Sequence, residues 1–458
     1  MNLNEEYRRN VPTITYGFDK SFVDYFGSNG VAAVESAIQI LNALPASSDT
    51  VLSNYPPDTR RMNFVAAAQD VYDLKSVVLA LLVEQMGLGQ PTRNISDLPL
   101  VLQIPPVCTN EVCPALVVFQ PFAIMRNFDP DTFNASFAVN GISYSSFLST
   151  NGGLNDIVEF PIDPLSTTYS AVADAFSLWY SGLQPGACYT GLTRDDVGGF
   201  AYLLNATNVN WESLPKEVLF VGHQRAKNKK LRGTWRPGVE KINFVPQPET
   251  KRGKFKTIVF KYTASYVTNG TVLEQSVKRV VSQPDILFAA AETFQINPAS
   301  PMFLRTGTEK WTNNAAQNGD ATAAGPGVIA PQVQITLDKL GPTVSSGGPY
   351  TSPVVMNNGW SSFDQSTNPP VLYPQNSGQT NLSVRLNFYH ASSGGYAEFT
   401  NSLFNVAVPF GGQATLQIST NNTDWNSLAT VTNNGSVIRW NYFGTPAPIS
   451  FRVLPGTQ

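Results

Sequence analysis

The chain has 458 residues, of which 42% are apolar and only 14% charged, and its formal net charge is -3. That length gives room for two to four domains, each with apolar residues for its own core, and the near-neutral balance excludes a global pull toward nucleic acid or anionic membrane. A charge content well below the roughly 25% of ordinary soluble proteins is the balance of extracellular β-rich proteins and assembly subunits, and with His223 and His390 as the only histidines a three-histidine metal site or a His-based acid and base pair is excluded by count.

The opening Met-Asn-Leu-Asn-Glu-Glu-Tyr-Arg-Arg carries no apolar h-region of a signal peptide, so the expectation of an extracellular or cell-surface location rests on composition and on a leader removed from this numbering. Residues 13–22 then read as a strand leading into a helix at 30–41, where Val31, Val34, Ile38 and Leu41 recur at helical spacing. A second helix, rich in Ala, Val and Leu, is expected from about 64 to 86 and reads as core. Its longest apolar run, 77–83, is far shorter than the about 20 residues that span a bilayer, so no transmembrane segment is expected.

From 99 to about 145 the chain turns strand-like, as at 115–119 and 136–144, which reads as a β insertion. Within it, Asp129, Asp131 and Asn134 are weak calcium candidates; without the glycine and distal glutamate of an EF-hand an Asx-type turn is the simpler reading, and no other cofactor is expected. Cys108 and Cys113 could close a small loop in an oxidising compartment, leaving Cys188 unpaired, and three reduced thiols fit as well. At 192–203 Thr193 is a natural N-cap, with Asp195 and Asp196 in the first helical turn.

Three of these segments, in this order, resemble the matrixin-type zinc peptidases of the metzincin class. They are the opening strand and helix, the run Leu-Ala-Leu-Leu-Val-Glu-Gln-Met-Gly-Leu-Gly-Gln at 79–90, and the Leu-Thr-Arg-Asp-Asp helix at 192–203. In the family an H-E-x-x-H-x-x-G-x-x-H pattern carries the zinc and its general base. Aligned on Gly87, Ala80, Glu84 and Gln90 take the ligand positions and Leu81 that of the base, so the resemblance implies a degenerate scaffold without catalytic residues or metal. By itself, a glycine after an apolar helix with Pro91 close behind is an ordinary helix stop. The chain also resembles a group of uncharacterised secreted bacterial proteins sharing phrases such as Gly-Leu-Thr-Arg-Asp-Asp-Val-Gly-Gly at 191–199.

Beyond 205, β-branched or alternating runs at 217–221, 256–262 and 272–281 suggest a β-rich middle domain. It holds a basic strip of Arg225, Lys227, Lys229, Lys230, Arg232, Arg236, Lys241, Lys251, Arg252, Lys254, Lys256 and Lys261 against Glu240 and Glu249. Such a strip suits an anionic polysaccharide or the acidic face of a neighbouring subunit; no nucleic-acid module accompanies it, and a solvated hairpin is the bland alternative. Residues 313–331 read as a linker or irregular loop, and the short strands of 332–458 as a β-sandwich in which Trp425, Trp440 and Tyr442 could stack on sugars or fill the core.

The expected fold class is therefore α+β: a degenerate metzincin-like domain at 1–205 with its β insertion near 99–145, a β-rich domain at 206–312, and a C-terminal sandwich. The expected function is that of a non-enzymatic extracellular structural protein, a homo-oligomer or polymer forming a filament, tube or surface layer. The alternatives are a cell-surface glycan-binding protein and, third, a metallopeptidase-related enzyme.

Overall fold

The computed structural model describes residues 8–56, 58–88, 101–104, 116–119, 138–139, 142–151, 154–161, 172, 175, 183–221, 232–250, 253–291, 304–307, 311–312, 328–329, 332–347, 350–356, 359–366, 371–373, 380–392, 395–444 and 449–456. The architecture is mixed α+β, with most ordered residues in strands.

A central five-stranded sheet has the order Asn243–Pro246, Thr13–Phe18, Ile286–Ala291, Val333–Asp338, Leu304–Gly307. Its first four strands are parallel and the last is antiparallel. Parallel strands are covered on both faces, and Ile-Leu-Phe-Ala-Ala-Ala at 286–291 accordingly reads as one apolar run. The opening strand stops at Phe18, shorter than its sequence suggests, because the Asp19 carboxylate accepts the Ser21 amide at 2.8 Å and caps helix α1, Lys20–Asn42. Gly27, at a φ of 61°, breaks this span into a short helical piece and a longer one that matches the helix expected at 30–41, and Phe22, Phe26, Val34, Ile38 and Leu41 are buried along it.

The expected helix at 64–86 is two. Helix α2, Phe64–Ala68, ends before Asp70, which adopts a φ of 53°. A short strand, Val71–Asp73, then precedes α3, Leu74–Gln85. The break is local chemistry: Asp70 takes a left-handed turn that helices do not contain, and Asp73 caps a new helix by accepting the Ser76 amide at 2.9 Å. Helix α4, Arg194–Leu204, opens on a capping box in which Thr193 and Asp196 satisfy each other's backbone amides.

An outer antiparallel sheet follows the order Asn210–Ser213, Gly233–Arg236, Ile258–Thr268, Thr271–Val281, Val218–Phe220. Its two longest strands join through Asn269 and Gly270, both at positive φ, the two-residue turn whose twist matches a hairpin. Residues 206–312 do not keep a core to themselves: Val218, Ala264, Val277, Phe244, Ile286 and Phe288 share one buried cluster with α1 and α3. Nor does position 331 separate cores. Gly359–Ser362 pairs in parallel with the Val71–Asp73 strand, and Trp360, fully buried, packs on Phe26 and Tyr72.

The C-terminal segment contributes a five-stranded sheet, ordered Tyr350–Met356, Thr343–Gly347, Ile438–Gly444, Asn381–Ser392, Gly395–Ala407, and a three-stranded sheet, ordered Asn426–Thr432, Gln413–Ser419, Ser450–Pro455. Val344, Leu382, Val384 and Trp440 of the first share a core with Leu416, Val431 and Val453 of the second.

Candidate functional site

The stretch that resembles a zinc-peptidase helix is sealed. Leu79, Ala80, Leu81, Leu82 and Val83 are at most 2% exposed, so the positions aligned with the first ligand and the general base lie inside the apolar core. The Glu84 side chain and Gln90 lie outside the described residues. Gly87 ends α3 at a φ of 104°, with the Leu88 amide reaching back to the Val83 carbonyl at 3.2 Å, the bond that closes a glycine-terminated helix. That turn lays Leu88 against Gly199 of α4, where a β-carbon would come within 2.8 Å of the leucine Cδ2. The Gly-Leu at 87–88 and the second glycine of Val-Gly-Gly thus serve one packing contact.

Polar groups near α3 are used structurally. Ser76 donates its hydroxyl to Asp73 and accepts the Tyr189 amide at 2.7 Å, while the other Asp73 oxygen accepts the Phe363 amide at 3.2 Å. Burial pushes the Asp73 carboxyl up to about 6 despite these bonds. The buried Cys188 thiol, pushed up to about 11 chiefly by desolvation, is held in its unreactive form.

The outer sheet has two unlike faces. Its inner face carries Glu212, Arg236 and Arg279, each at most 2% exposed. Arg8 meets Glu212 at 2.6 Å and donates to the carbonyls of Leu203, Asn208 and Arg236. Arg279 pairs with Asp285 and Glu217 and donates to the Thr13 carbonyl at 2.8 Å. Asp285 in turn accepts the Thr15 amide at 2.7 Å, so the network ties the outer sheet to the first strand of the central one. Burial lowers the Arg236 guanidinium to about 10, whereas the two carboxylates facing Arg279 outweigh its desolvation and raise it. Of this network only Arg236 stands out in the sequence, as a member of the basic strip.

The opposite face points to solvent and mixes apolar residues with Thr263, Ser265, Glu274 and Ser276. Register places Trp211, Trp235, Val267 and Val272 toward one end and Leu219, Val259 and Val280 toward the other. Trp235 and Val259 are each 51% exposed and Val272 58%, and the Trp211 and Trp235 rings meet edge to face at 5.9 Å. In the row of Leu219, Lys261 stands directly opposite Lys278. The inner face also carries Val218, Ala264 and Val277 of the buried core, so the sheet keeps the usual apolar-inward order, with three buried charges added inside and exposed apolar residues scattered outside.

Other candidates are placed as follows. Two members of the basic strip point inward and do not meet a polyanion: Arg236 is buried against the Ser265 carbonyl, and Arg232 donates to the carbonyls of Leu214, Pro215 and Val218. Lys254, Lys256 and Lys261 are exposed, and Arg225, Lys227, Lys229, Lys230, Lys251 and Arg252 lie outside the described residues. Sugar stacking fails at Trp440, which is fully buried in the C-terminal core. Tyr442 is stacked on Phe388 at 5.5 Å, and the Arg452 guanidinium covers the Trp425 ring at 4.0 Å. Asp129, Asp131, Asn134, Cys108 and Cys113 lie outside the described residues. Among the described residues no three His, Cys, Asp or Glu side chains gather as a metal site, and no helix is long and apolar enough to cross a membrane.

A small cleft beside α1 and α4, lined by Leu41, Met86, Phe200 and Phe244, has a volume of about 30 Å³. At its rim the Glu240 carboxylate is spent on the amides of Ala206 at 2.7 Å and Ser48 at 2.9 Å. The cleft thus offers apolar packing without a free reactive group. No family model, curated protein or solved structure matches the chain.

Proposed function

We propose that this chain is a non-enzymatic extracellular structural protein that assembles with copies of itself into a filament, tube or surface layer. In this reading the N-terminal part is a degenerate matrixin-like domain kept as a scaffold, and the two C-terminal sheets form a β-sandwich. The single observation that carries it is the outer sheet. Glu212 and Arg279 of its inner face are held by Arg8 and Asp285, while Trp235, Val259 and Val272 stand half or more exposed on the other. A solitary soluble chain gains nothing from that arrangement, whereas a subunit buries the face on assembly. The sealed α3 helix supports the same reading, because the residues aligned with a zinc site are the floor of a core and not the wall of a cleft.

Electron microscopy and mass photometry of the purified chain test it. Oligomers whose population grows with concentration are expected, and a monodisperse monomer across salt and concentration would overturn the proposal.

A further inference from the structure

We propose that Asn269 is a site of spontaneous covalent modification, at which the backbone nitrogen of Gly270 attacks the side-chain amide and converts the residue to aspartate and isoaspartate. The reaction needs an asparagine followed by an uncrowded nitrogen, and three Asn-Gly pairs lie wholly within the described residues, at 29–30, 269–270 and 434–435. Nucleophile and electrophile belong to neighbouring residues, so the step is intramolecular and its rate is set by how freely the two groups approach.

The fold treats the three pairs differently. Gly30 is buried inside α1, where a β-carbon would come within 2.2 Å of the Phe26 Cβ, so the backbone there has no room to turn on its neighbour. Gly435 donates its amide to Asn433 Oδ1 at 3.0 Å and Asn434 Oδ1 accepts the Ser436 amide at 3.1 Å, which engages both the attacking nitrogen and the group attacked. Asn269 and Gly270 instead form the turn between Ile258–Thr268 and Thr271–Val281, at φ of 50° and 72°. Every residue from 268 to 274 is exposed, a β-carbon on Gly270 would meet nothing within 4 Å, and the Asn269 side chain makes no hydrogen bond to another described residue. The turn holds Asn269 left-handed, so attack requires the tip to open, and an exposed hairpin end is the part of a sheet that opens at least cost.

The step balances without oxidant, reductant or cofactor. The Gly270 nitrogen bonds to Asn269 Cγ and gives up its proton, the amide leaves as ammonia, and solvent water opens the resulting cyclic imide at one carbonyl or the other. One opening gives aspartate. The other gives isoaspartate, which routes the main chain through the side-chain carbon and lengthens it. Both products add a negative charge at the tip, and the longer chain disturbs the two-residue turn that sets Thr268 opposite Thr271. The chemistry depends on the hairpin alone and not on assembly.

Peptide mapping by mass spectrometry tests it, on the full chain aged for weeks in mildly alkaline buffer made with heavy-oxygen water, once folded and once in denaturant. In the folded chain the peptide holding Asn269 should take up heavy oxygen about tenfold or more faster than those holding Asn29 and Asn434, and should separate into aspartate and isoaspartate forms. In denaturant the three pairs should convert at similar rates, because the fold no longer distinguishes them. An Asn269 that stays intact in the folded chain, or converts no faster there than Asn29 and Asn434, overturns the assignment.

Discussion

Arg279 shows how much of this structure hangs on single side chains. With 1% exposure it satisfies Asp285, Glu217 and the Thr13 carbonyl together, and through Asp285 it fixes the amide of Thr15. Removing one partner of such a pair strands the others, so Arg279→Ala should cost about 3–5 kcal/mol of unfolding free energy, read from denaturant midpoints; a loss below about 1 kcal/mol would contradict the assignment. Asp73 gives a pH signature. Its folded-state value of about 6 lies above its ordinary 3.8, so the folded chain holds that proton more tightly than the unfolded one. The associated stability is complete below about pH 4 and is lost as pH rises through 6, up to about 3 kcal/mol. Asp73→Asn should flatten that part of the profile, and a slope unchanged by the substitution would contradict it. Cys188, buried with its thiol pushed up to about 11, should resist thiol reagents until the chain unfolds.

Among the elements, α3 and α4 are the clearest case of two sequence phrases resolved into one contact. Gly87 supplies the positive φ that ends α3, and Gly199 leaves the space that Leu88 fills. Gly87→Ala should lower stability by about 1–2 kcal/mol through left-handed strain, and Gly199→Val by more, because the added carbons meet Leu88; melting temperatures in the two variants check the order. The sequence made the capping box at Thr193 and the stop at Gly87 legible, because both are written within a few residues of the helix end they govern. The short helical piece before Gly27 depends on one Asp at position 19, a cap that hydrophobic periodicity does not register. The outer sheet was legible as alternating strands, yet not which face turned inward. Alternation holds where Ala264 and Val277 go in and Lys261 and Lys278 go out, but Glu212, Arg236 and Arg279 also go in while Trp235 and Val259 stay out. Those inward charges are answered by Arg8 and Asp285, which lie far from their partners along the chain or across a strand boundary, so no local window contains them.

At the scale of the whole molecule, linear composition suggested separate units, whereas the central sheet gathers strands that start at residues 13, 243, 286, 304 and 333 into one layer. Trp360 then stitches the chain back to the Val71–Asp73 strand, so truncation at 331 should remove a fully buried tryptophan from the first core and expose it. The segment 1–330 alone should therefore melt well below the full chain, by differential scanning calorimetry, and an equal melting temperature would contradict the shared core. What the molecule leaves uncovered is the outer sheet, and the functional proposal stands or falls there. The most direct test is mass photometry of the full chain over a range of concentrations, combined with electron microscopy of the most concentrated sample. The account predicts oligomers whose population grows with concentration. A single monomeric species at every concentration would contradict it.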